Sequence, residues 1–385
     1  MLRIHLTLIA ALGAFLAPAY GLTQFIPSTI QNGTSNAQFV STSSPLDAPK
    51  VSPINGSAYD WWYFDAVSTD PSSRASVVLT FFTSSQPAFP LLSPSPTITV
   101  ARIWVSFPNG TLWSAEADAA GATVVVPDAQ GSKGRTSGVW HGTGLSWSGT
   151  PAGGYVVLVD APGIGVQGTI SFEPTAPPHY PCGPVSSPVG QTLLVGPNIG
   201  WANAVPDANA SVDLVVGGVP LKFGGSGYAD KNWSDIPFTS RVASWYWGHA
   251  RLGPYSLVWF DYLDLAGAEH VSVYLARDNK IVGASCALGS VVVRPAGNTT
   301  YPPTLGTPRP EGYRVSVELD GAETSGAGKV ELELTATVTA PLVGANPAYA
   351  RSMGTVTGVI SGGADSEAAG KLEGVALFEQ FQLTS

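Results

Sequence analysis

The chain of 385 residues has little of what most catalytic sites require. It contains two cysteines, five histidines and only 12% charged residues. No HExxH or CxxC spacing is present, and no pair of histidines after residue 21 stands at metal-ligand spacing. No glycine-rich G-x-G-x-x-G segment joins a strand to a helix, and no clean G-x-S-x-G is found. The sequence therefore predicts neither a bound metal nor an organic cofactor.

Cationic clusters and long apolar runs are also scarce. The formal net charge is −9 and lysines and arginines are not clustered, which argues against nucleic acid and anionic membranes as partners. One apolar run, residues 6–16, follows a short basic start and precedes the small-residue segment 17–19. It is shorter than a membrane span. Residues 1–21 are therefore predicted to be a signal peptide, and the protein to be secreted or held in a secretory or vacuolar compartment.

A secretory compartment has consequences for the cysteines and asparagines. Cys182 and Cys286 are predicted to form a disulfide, because thiols pair in oxidising compartments. Six Asn-x-Ser/Thr sequons occur. The sequon at Asn232 lies among aromatic residues, so we expect its amide to be buried and to hydrogen-bond across a domain joint. Glycans are predicted at the other five, Asn32, Asn55, Asn109, Asn209 and Asn298.

The residues that are abundant favour β-structure. Glycine (44) and proline (32) separate short apolar runs of period two, such as residues 75–84 and 270–277. No amphipathic helix longer than two turns is indicated. Two aromatic-rich stretches, YDWWYFD and SWYWGHA, echo each other in the two halves. We therefore predict an all-β protein with two antiparallel β-barrel or sandwich domains, residues 22–236 and 237–385.

The second aromatic stretch suggests a pocket. Successive strand residues point to opposite faces, so Trp245 and Trp247 share one face with His249 and Arg251, and Tyr246 points away. Tryptophans alone would fit a packed core, but a histidine and an arginine there would need partners. Aspartates also flank the aromatic groups, and paired carboxylates beside aromatics are typical of glycosidases. A carbohydrate-active protein would therefore also fit this stretch.

These motifs resemble a known family. YDWWYFDAVS, GYADKNWSD and WYWGHARLGPYSLVWF are similar to signatures of lipocalin-like proteins related to carotenoid 1,2-hydratase. The family includes fungal pericyclases, or Diels–Alderases, of secondary metabolism. The resemblance implies two lipocalin-like domains with a substrate pocket at their junction. The family's strand usually carries a glutamate where this chain has Asp60, a side chain shorter by one methylene group.

Within that family, the signal peptide, the sequons and the single cysteine pair are similar to hetero-Diels–Alderases of tropolone sesquiterpenoid pathways. The resemblance implies a cofactor-independent cycloaddition of a tropolone o-quinone methide with a humulene-type sesquiterpene. A hydrogen-bond donor would activate the quinone methide oxygen, and aromatic walls would hold the two partners together. The same pocket would also suit a terpenoid hydratase or isomerase, or a non-catalytic carrier of a hydrophobic metabolite.

The predicted site residues follow from this mechanism. Donors and the carboxylates that orient them are expected to be His249, Arg251, Lys231, Asp65 and Asp60, with Asp65 and His249 also able to assist loss of water. The residues expected to contact substrate are Trp62, Tyr63, Trp104, Asp230, Asn232, Trp233, Trp245, Tyr246, Trp247, Trp259 and Phe378.

Overall fold

The computed structural model describes residues 21–128, 135–184, 189–320, 329–362 and 371–385. Nearly all of the predicted signal peptide, residues 1–20, lies outside these ranges. Within them the regular structure is β-strand, apart from 3₁₀ turns at Pro162–Ile164 and Phe238–Ser240. None of the helical segments there has the length and apolarity that crossing a membrane requires. The predicted all-β class is confirmed.

The first sheet contains fifteen antiparallel strands within the described ranges. Its main path runs β1-β8-β9-β10-β11-β12-β16-β17-β4-β5-β6-β7, with β13 and β15 attached beside β16 and β14 beside β13. The strands are β1 (Leu22–Pro27), β4 (Tyr59–Ser68), β5 (Ser76–Ser84), β6 (Thr99–Ser106), β7 (Leu112–Asp118), β8 (Gly121–Val126), β9 (Ser137–Trp140), β10 (Leu145–Gly149), β11 (Tyr155–Ala161), β12 (Val166–Pro174), β13 (His179–Tyr180), β14 (Gly183–Pro184), β15 (Leu194–Gly196), β16 (Ile199–Val216) and β17 (Val219–Ser234). A separate two-stranded ladder pairs β2 (Asn36–Ala37) with β3 (Val51–Ser52).

The second sheet contains nine antiparallel strands in the described part of the chain, in the order β21-β20-β19-β18-β26-β25-β24-β23-β22. Its strands are β18 (Ser244–Leu252), β19 (Tyr255–Leu263), β20 (Glu269–Arg277), β21 (Lys280–Ser285), β22 (Val291–Ala296), β23 (Gly312–Leu319), β24 (Val330–Pro341), β25 (Tyr349–Gly362) and β26 (Lys371–Gln382). Each sheet curls around a core of its own.

The central strand β4 is buried on both faces because it separates two cores. All ten of its residues are buried. Trp62 and Phe64 point into the core enclosed by the first sheet, here called the first core. Trp61 and Tyr63 point the other way, into apolar residues shared with the second sheet, here called the interface core. This alternation is the strand period of two.

Strand β18 of the second sheet also separates two cores. Tyr246 points into the core enclosed by that sheet, the second core, whereas Trp245 and Trp247 point into the interface core. The predicted split of this strand into two faces is therefore confirmed. The two sheets meet through faces that are richer in aromatic residues than their interiors. Strands β4 and β18 touch there through the rings of Tyr63 and Trp247, whose centroids are 5.5 Å apart.

The disulfide predicted from the two cysteines is present. Cys182 and Cys286 are bonded, with their Cα atoms 4.8 Å apart and a sequence separation of 104. Cys182 lies between β13 and β14, and Cys286 follows β21. The bond therefore ties the first sheet to the second.

A group of buried charges lies under the first sheet. Lys231 forms an ion pair with Asp60, and both side chains are almost fully buried. The backbone N–H of Lys50 donates to the other oxygen of Asp60 at 2.8 Å. Burial, followed by repulsion from Lys231, lowers the pKa of the Lys50 amine to about 7, and the attraction of Asp47 and Asp60 only partly offsets this. Replacing Lys231 or Asp60 alone would leave a buried charge without its partner.

Removing the disulfide should destabilise the protein strongly. In the chain-entropy treatment, opening a loop of this length costs about 4–5 kcal/mol. We expect a Cys182→Ala/Cys286→Ala variant to lose most of that amount of unfolding free energy in a urea titration. Cys182→Ser/Cys286→Ser is the matched control for side-chain size and polarity and should lose a similar amount. A loss below about 1 kcal/mol would show that the two sheets hold together without the bond.

The buried amine of Lys50 should make stability depend on pH. Its pKa is about 7 in the folded state and 10.5 when unfolded, so the unfolded chain binds more protons between these values. Stability then rises with pH across this window, by up to about 1.4 kcal/mol per pH unit. Lys50→Met should remove this contribution, measured as the difference in unfolding free energy from wild type at pH 7 to 10. Lys222→Met, at an exposed lysine, should keep the wild-type profile.

Candidate active site

A cavity of about 250 Å³ lies between the two sheets. Its walls come from β4, β5, β6 and β17 of the first sheet and from β18, β25 and β26 of the second. Phe89 and Leu91 of the β5–β6 connection and residues 343–346 of the β24–β25 connection complete them. Nine aromatic residues line it: Trp61, Tyr63, Phe82, Phe89, Trp104, Trp245, Trp247, Tyr349 and Phe381. The pocket predicted at the junction of the two sheets is therefore present.

Strand register explains which first-sheet residues meet at the cavity. Side chains opposite each other on neighbouring strands point to the same face. One such row crosses β17, β4, β5 and β6, and a second crosses β17, β4 and β5 beside it. The first row is Asp230, Tyr63, Thr80 and Arg102; the second is Asn232, Trp61 and Phe82.

The second sheet supplies two matching rows. They cross β18, β26 and β25, and all of their members line the cavity. The rows are Trp247, Glu379 and Arg351, and Trp245, Phe381 and Tyr349. The cavity is thus the space between two pairs of cross-strand rows, one pair from each sheet.

Asp230 is a buried carboxyl in the cavity wall. Its Oδ2 accepts hydrogen bonds from Trp201 Nε1 and from the Tyr228 hydroxyl, each at 2.7 Å. Burial raises the pKa of Asp230 to about 7, and the two hydrogen bonds only partly oppose this shift. Near neutral pH a substantial fraction of this carboxyl is therefore protonated. A pKa near the working pH is what a general acid needs.

A buried pair formed by His249 and Asp65 is linked to Asp230 by Tyr228. The ring of Tyr228, whose hydroxyl binds Asp230, stacks on the ring of His249 with centroids 4.6 Å apart and 13° between the planes. His249 Nε2 lies 2.9 Å from Asp65 Oδ1, and both side chains are 0–1% exposed. The pair joins β18 to β4 and fixes Tyr228 from one side. Tyr228 therefore links the pair to Asp230, and the His249 ring also lies beside that of Trp247 in the cavity wall, with centroids 5.7 Å apart.

Arg351 and Glu379 form an ion pair in the cavity wall. Arg351 Nε and the Tyr349 hydroxyl both donate to Glu379 Oε1 at 2.7 Å. Arg102, on the opposite sheet, forms an ion pair with Glu116 and donates to the Leu91 carbonyl at 2.8 Å. Burial, followed by repulsion from Arg351, lowers the pKa of Arg102 to about 10. Each cavity arginine is thus matched by a glutamate.

The predicted substrate-contact residues divide between the cavity and the two closed cores. Those that line the cavity are Tyr63, Trp104, Asp230, Asn232, Trp245 and Trp247. The structure corrects the placement of the others. Trp62 and Trp233 lie in the first core, and Tyr246, Trp259 and Phe378 lie in the second core. Each is one position out of step with a residue of the face between the sheets, and a shift of one residue on a strand reverses the face.

The predicted donors and carboxylates are placed by the same rule. Lys231 and Asp60 alternate with Asp230 and Trp61, so they lie beside the first core against Trp62, whose ring is 4.0 Å from the Lys231 amine. Their assignment to the cavity is corrected accordingly. Lys231 and Asp60 form an ion pair, and His249 and Asp65 form a buried hydrogen-bonded pair.

Arg251 has a partner that the sequence did not indicate. Its guanidinium donates through Nε and Nη2 to the two oxygens of Asp207 on β16, with the shortest contact at 2.7 Å. The same carboxylate accepts from the Ser256 and Ser226 hydroxyls. Arg251, His249 and Asp65 therefore hold the two sheets together and do not line the cavity.

The sequence analysis missed the residues that give the cavity its charge on the second sheet. Arg351 and Glu379 come from β25 and β26, which carry no dense aromatic motif. Glu379 follows Phe378, which was predicted, so the correct strand was identified with the wrong face. The usable signal was the register with Trp247, which the sequence alone does not supply.

The sequons are exposed to different degrees. Asn32, Asn109, Asn209 and Asn298 are exposed and Asn55 is half-buried. Asn232 is buried as expected, but its amide donates to the Gly200 carbonyl at 3.3 Å, within the first sheet and not across the joint. Glycosylation at the other five stays a prediction.

Fold and cavity together define a lipocalin-like protein of two curled sheets with an aromatic pocket between them. The family described as Diels-Alderase-like matches residues 27–291 of the chain. A quinolone epoxide rearrangement protein of Emericella nidulans is 38% identical over 296 residues, covering 76% of this chain and 79% of that protein. The corresponding protein of Penicillium thymicola is 34% identical over 370 residues, covering 93% and 94%. The chain belongs to the Diels–Alderase-like family.

More distant comparisons agree with this membership. Relatives named Diels–Alderases are 24–27% identical to the chain. The crystal structure of CghA with Sch210972 superposes with a TM-score of 0.72 at 20% identity, covering 94% of this chain and 99% of that one. This likeness confirms the fold. The family of Diels–Alderases and epoxide rearrangement proteins supports a catalytic role.

The hydrogen bonds to Asp230 should control its titration. Tyr228→Phe removes a donor that stabilises the carboxylate, so the pKa of Asp230 should rise above about 7. A hydrogen bond to a charged group is worth about 1.5–3 kcal/mol, or roughly one to two pH units. Carbon-13 NMR of labelled aspartate carboxyls, assigned with Asp230→Asn, measures the shift.

Tyr274→Phe is the matched control for this variant. It deletes another buried hydroxyl, one that donates to the Pro177 carbonyl at 2.7 Å and not to Asp230. The Asp230 titration should be unchanged in it. An unchanged or lowered pKa in Tyr228→Phe would contradict the assigned role of the hydroxyl.

Proposed function

We propose that the cavity catalyses an acid-assisted, cofactor-independent rearrangement or cyclisation of a flat, largely apolar substrate, with Asp230 as the general acid. The observation that carries the proposal is a carboxyl with a pKa of about 7 on the wall of an aromatic cavity. Such a group can give a proton to a substrate oxygen at neutral pH and take one back at the end of the reaction.

The aromatic walls suit the charge that such a reaction develops. Protonation of an epoxide oxygen by Asp230 breaks a carbon–oxygen bond and leaves a hydroxyl and a carbocation. Migration of a neighbouring group, or attack by an internal oxygen, then consumes the cation, and the proton returns to Asp230. Ring faces attract cations, and Trp61, Tyr63, Trp245 and Trp247 surround the cavity. Overall the step is an isomerisation and needs no co-reactant.

The size of the cavity and the relatives favour one reactant. Pockets for drug-sized ligands are typically ~300–1,000 Å³, and this cavity is about 250 Å³. One flat molecule fits it more readily than two. The relatives at 38% and 34% identity are named for the rearrangement of quinolone epoxides. An aromatic heterocycle carrying an epoxide is therefore the proposed substrate class.

A second candidate keeps the same acid. In a hetero-Diels–Alder reaction between a tropolone o-quinone methide and a humulene-type sesquiterpene, Asp230 would donate a hydrogen bond to the quinone methide oxygen. The flat aromatic walls and the Diels–Alderase relatives favour this candidate. The small cavity volume counts against it. We also propose, from the N-terminal segment and the exposed sequons, that the protein works in the secretory pathway.

Asp230→Asn should separate catalysis from binding. The variant preserves the shape of the side chain and removes its proton, so turnover should fall by roughly 10²–10⁴-fold. The dissociation constant of the substrate, measured by quenching of tryptophan fluorescence, should stay within about threefold of the wild-type value. In wild type, turnover should fall as pH rises above about 7, because the acid form of Asp230 is lost. Asp213→Asn, at an exposed carboxylate paired with Lys222, is the matched control.

Two substrate mixtures distinguish the candidates in this assay. One contains a quinolone epoxide, and the other contains a hydroxymethyl tropolone with a hydroxylated humulene. Formation of a single stereoisomer from the first supports the rearrangement, and from the second the cycloaddition. Full turnover by Asp230→Asn would overturn the acid role. Tight binding of either mixture without turnover would indicate a carrier, and binding to an oligosaccharide array would indicate a carbohydrate-binding protein.

A further inference from the structure

Arg351 lies in the cavity wall with part of its hydrogen-bonding capacity unused. The residue is 5% exposed. Its Nε donates to Glu379 at 2.7 Å, but its buried Nη1 has no partner among the described residues. A guanidinium offers five N–H donors, and a buried donor of a charged group without an acceptor is costly. Nη1 has almost no accessible surface, so a ligand in the cavity can supply the missing acceptor once the guanidinium turns toward it.

Aromatic rings hold this guanidinium in place. Its central carbon lies 4.8 Å from the centroid of Trp104 and 5.4 Å from those of Tyr63 and Tyr349. All three rings also line the cavity. A flat ligand can therefore lie against the same rings while one of its oxygens meets Arg351. Planar guanidinium groups suit such stacked positions better than lysine does.

The charged groups around the cavity indicate whether the ligand oxygen at Arg351 is neutral or anionic. Arg351 is paired with Glu379, and Arg102 with Glu116. Asp230 is neutral or negative, depending on pH. Counted together with Glu116, which lies outside the cavity lining, these groups carry no surplus positive charge to compensate an anion. A carboxylate would enter without a counter-charge, whereas a neutral carbonyl oxygen requires none.

We propose that Arg351 binds a neutral conjugated carbonyl of the substrate, such as the oxygen of a lactam, and so selects for substrates that carry one. This inference adds a substrate class to the proposed function. It rests on the proposed function in one respect, namely that the reacting oxygen of the substrate contacts Asp230. Asp230 is the cross-strand neighbour of Tyr63, whose ring also lies beside Arg351. One ring system on Tyr63 can thus make both contacts, which fixes its orientation relative to the acid.

Three bicyclic probes test the proposal without any reaction. Quinolin-2(1H)-one carries a lactam oxygen, naphthalene has no acceptor, and 2-naphthoate carries a negative charge. Dissociation constants are measured by fluorescence quenching at pH 7.5 with wild type and with Arg351→Met/Glu379→Gln. This double variant removes both charges of the ion pair, so neither is left buried alone. Its thermal unfolding and circular dichroism verify the fold.

We expect wild type to bind quinolin-2(1H)-one about tenfold more tightly than naphthalene, the effect of one hydrogen bond from a charged donor. It should bind 2-naphthoate more weakly than the lactam. In the double variant the lactam preference should disappear, while naphthalene binding changes by less than about twofold. A wild type without the preference, or a folded double variant that retains it, would overturn the proposal. If 2-naphthoate binds most tightly of the three probes, the proposal that Arg351 prefers a neutral carbonyl oxygen to an anionic one is overturned.

The same probes separate this inference from the proposed acid. Asp230→Asn should retain the lactam preference, because Arg351 is intact in it. If that variant keeps both full turnover and the preference, the acid role fails and the carbonyl site stands. If the preference is absent while turnover depends on Asp230, the carbonyl site fails and the acid role stands.

Discussion

The structure depends on the packing of one aromatic sheet face against another. Burial of apolar area stabilises a protein by about 25 cal/mol per Å², and here each sheet presents a second apolar face besides the one that covers its own interior. Exposed to water, either face would be a large apolar patch. The two faces therefore cover each other, and the cavity is the part of their contact that side chains do not fill. Fold stability and ligand binding thus draw on the same surface.

Buried polar groups are tolerated at this contact because most of them have matched partners. Arg251 meets Asp207, His249 meets Asp65, and Glu379 meets Arg351. The first two pairs join the two sheets, whereas Glu379 and Arg351 lie on neighbouring strands of the second sheet. Because desolvation opposes the attraction within a buried pair, the pairs that cross contribute more to the relative orientation of the sheets than to net stability. Asp230 differs, because neutral donors hold only one of its oxygens. Burial, which these hydrogen bonds only partly oppose, raises the pKa of Asp230 to about 7 and leaves the carboxyl available for proton transfer.

The sequence predicted the site best where one strand supplied the whole pattern. Trp245 and Trp247 line the cavity, and Tyr246 turns away, as the period of two requires. The predicted cavity residues were wrong where the face of a strand had to be chosen without knowledge of the adjacent strand in the sheet. In the run from Asp230 to Trp233, Trp233 lies in the first core and Lys231 lies beside it. Composition marked the run as important, but only its pairing with β4 shows which half faces the cavity.

The sequence by itself determined the all-β class, the disulfide and the aromatic strands on which the pocket is built. These follow from local periodicity, turn residues and cysteine count, which neighbouring residues along the chain encode. The tertiary structure alone decided that Arg351 and Glu379 join Asp230 in one cavity, and that Lys231 and Asp60 do not. Such choices depend on the register between strands far apart in sequence, and a shift of one residue reverses them.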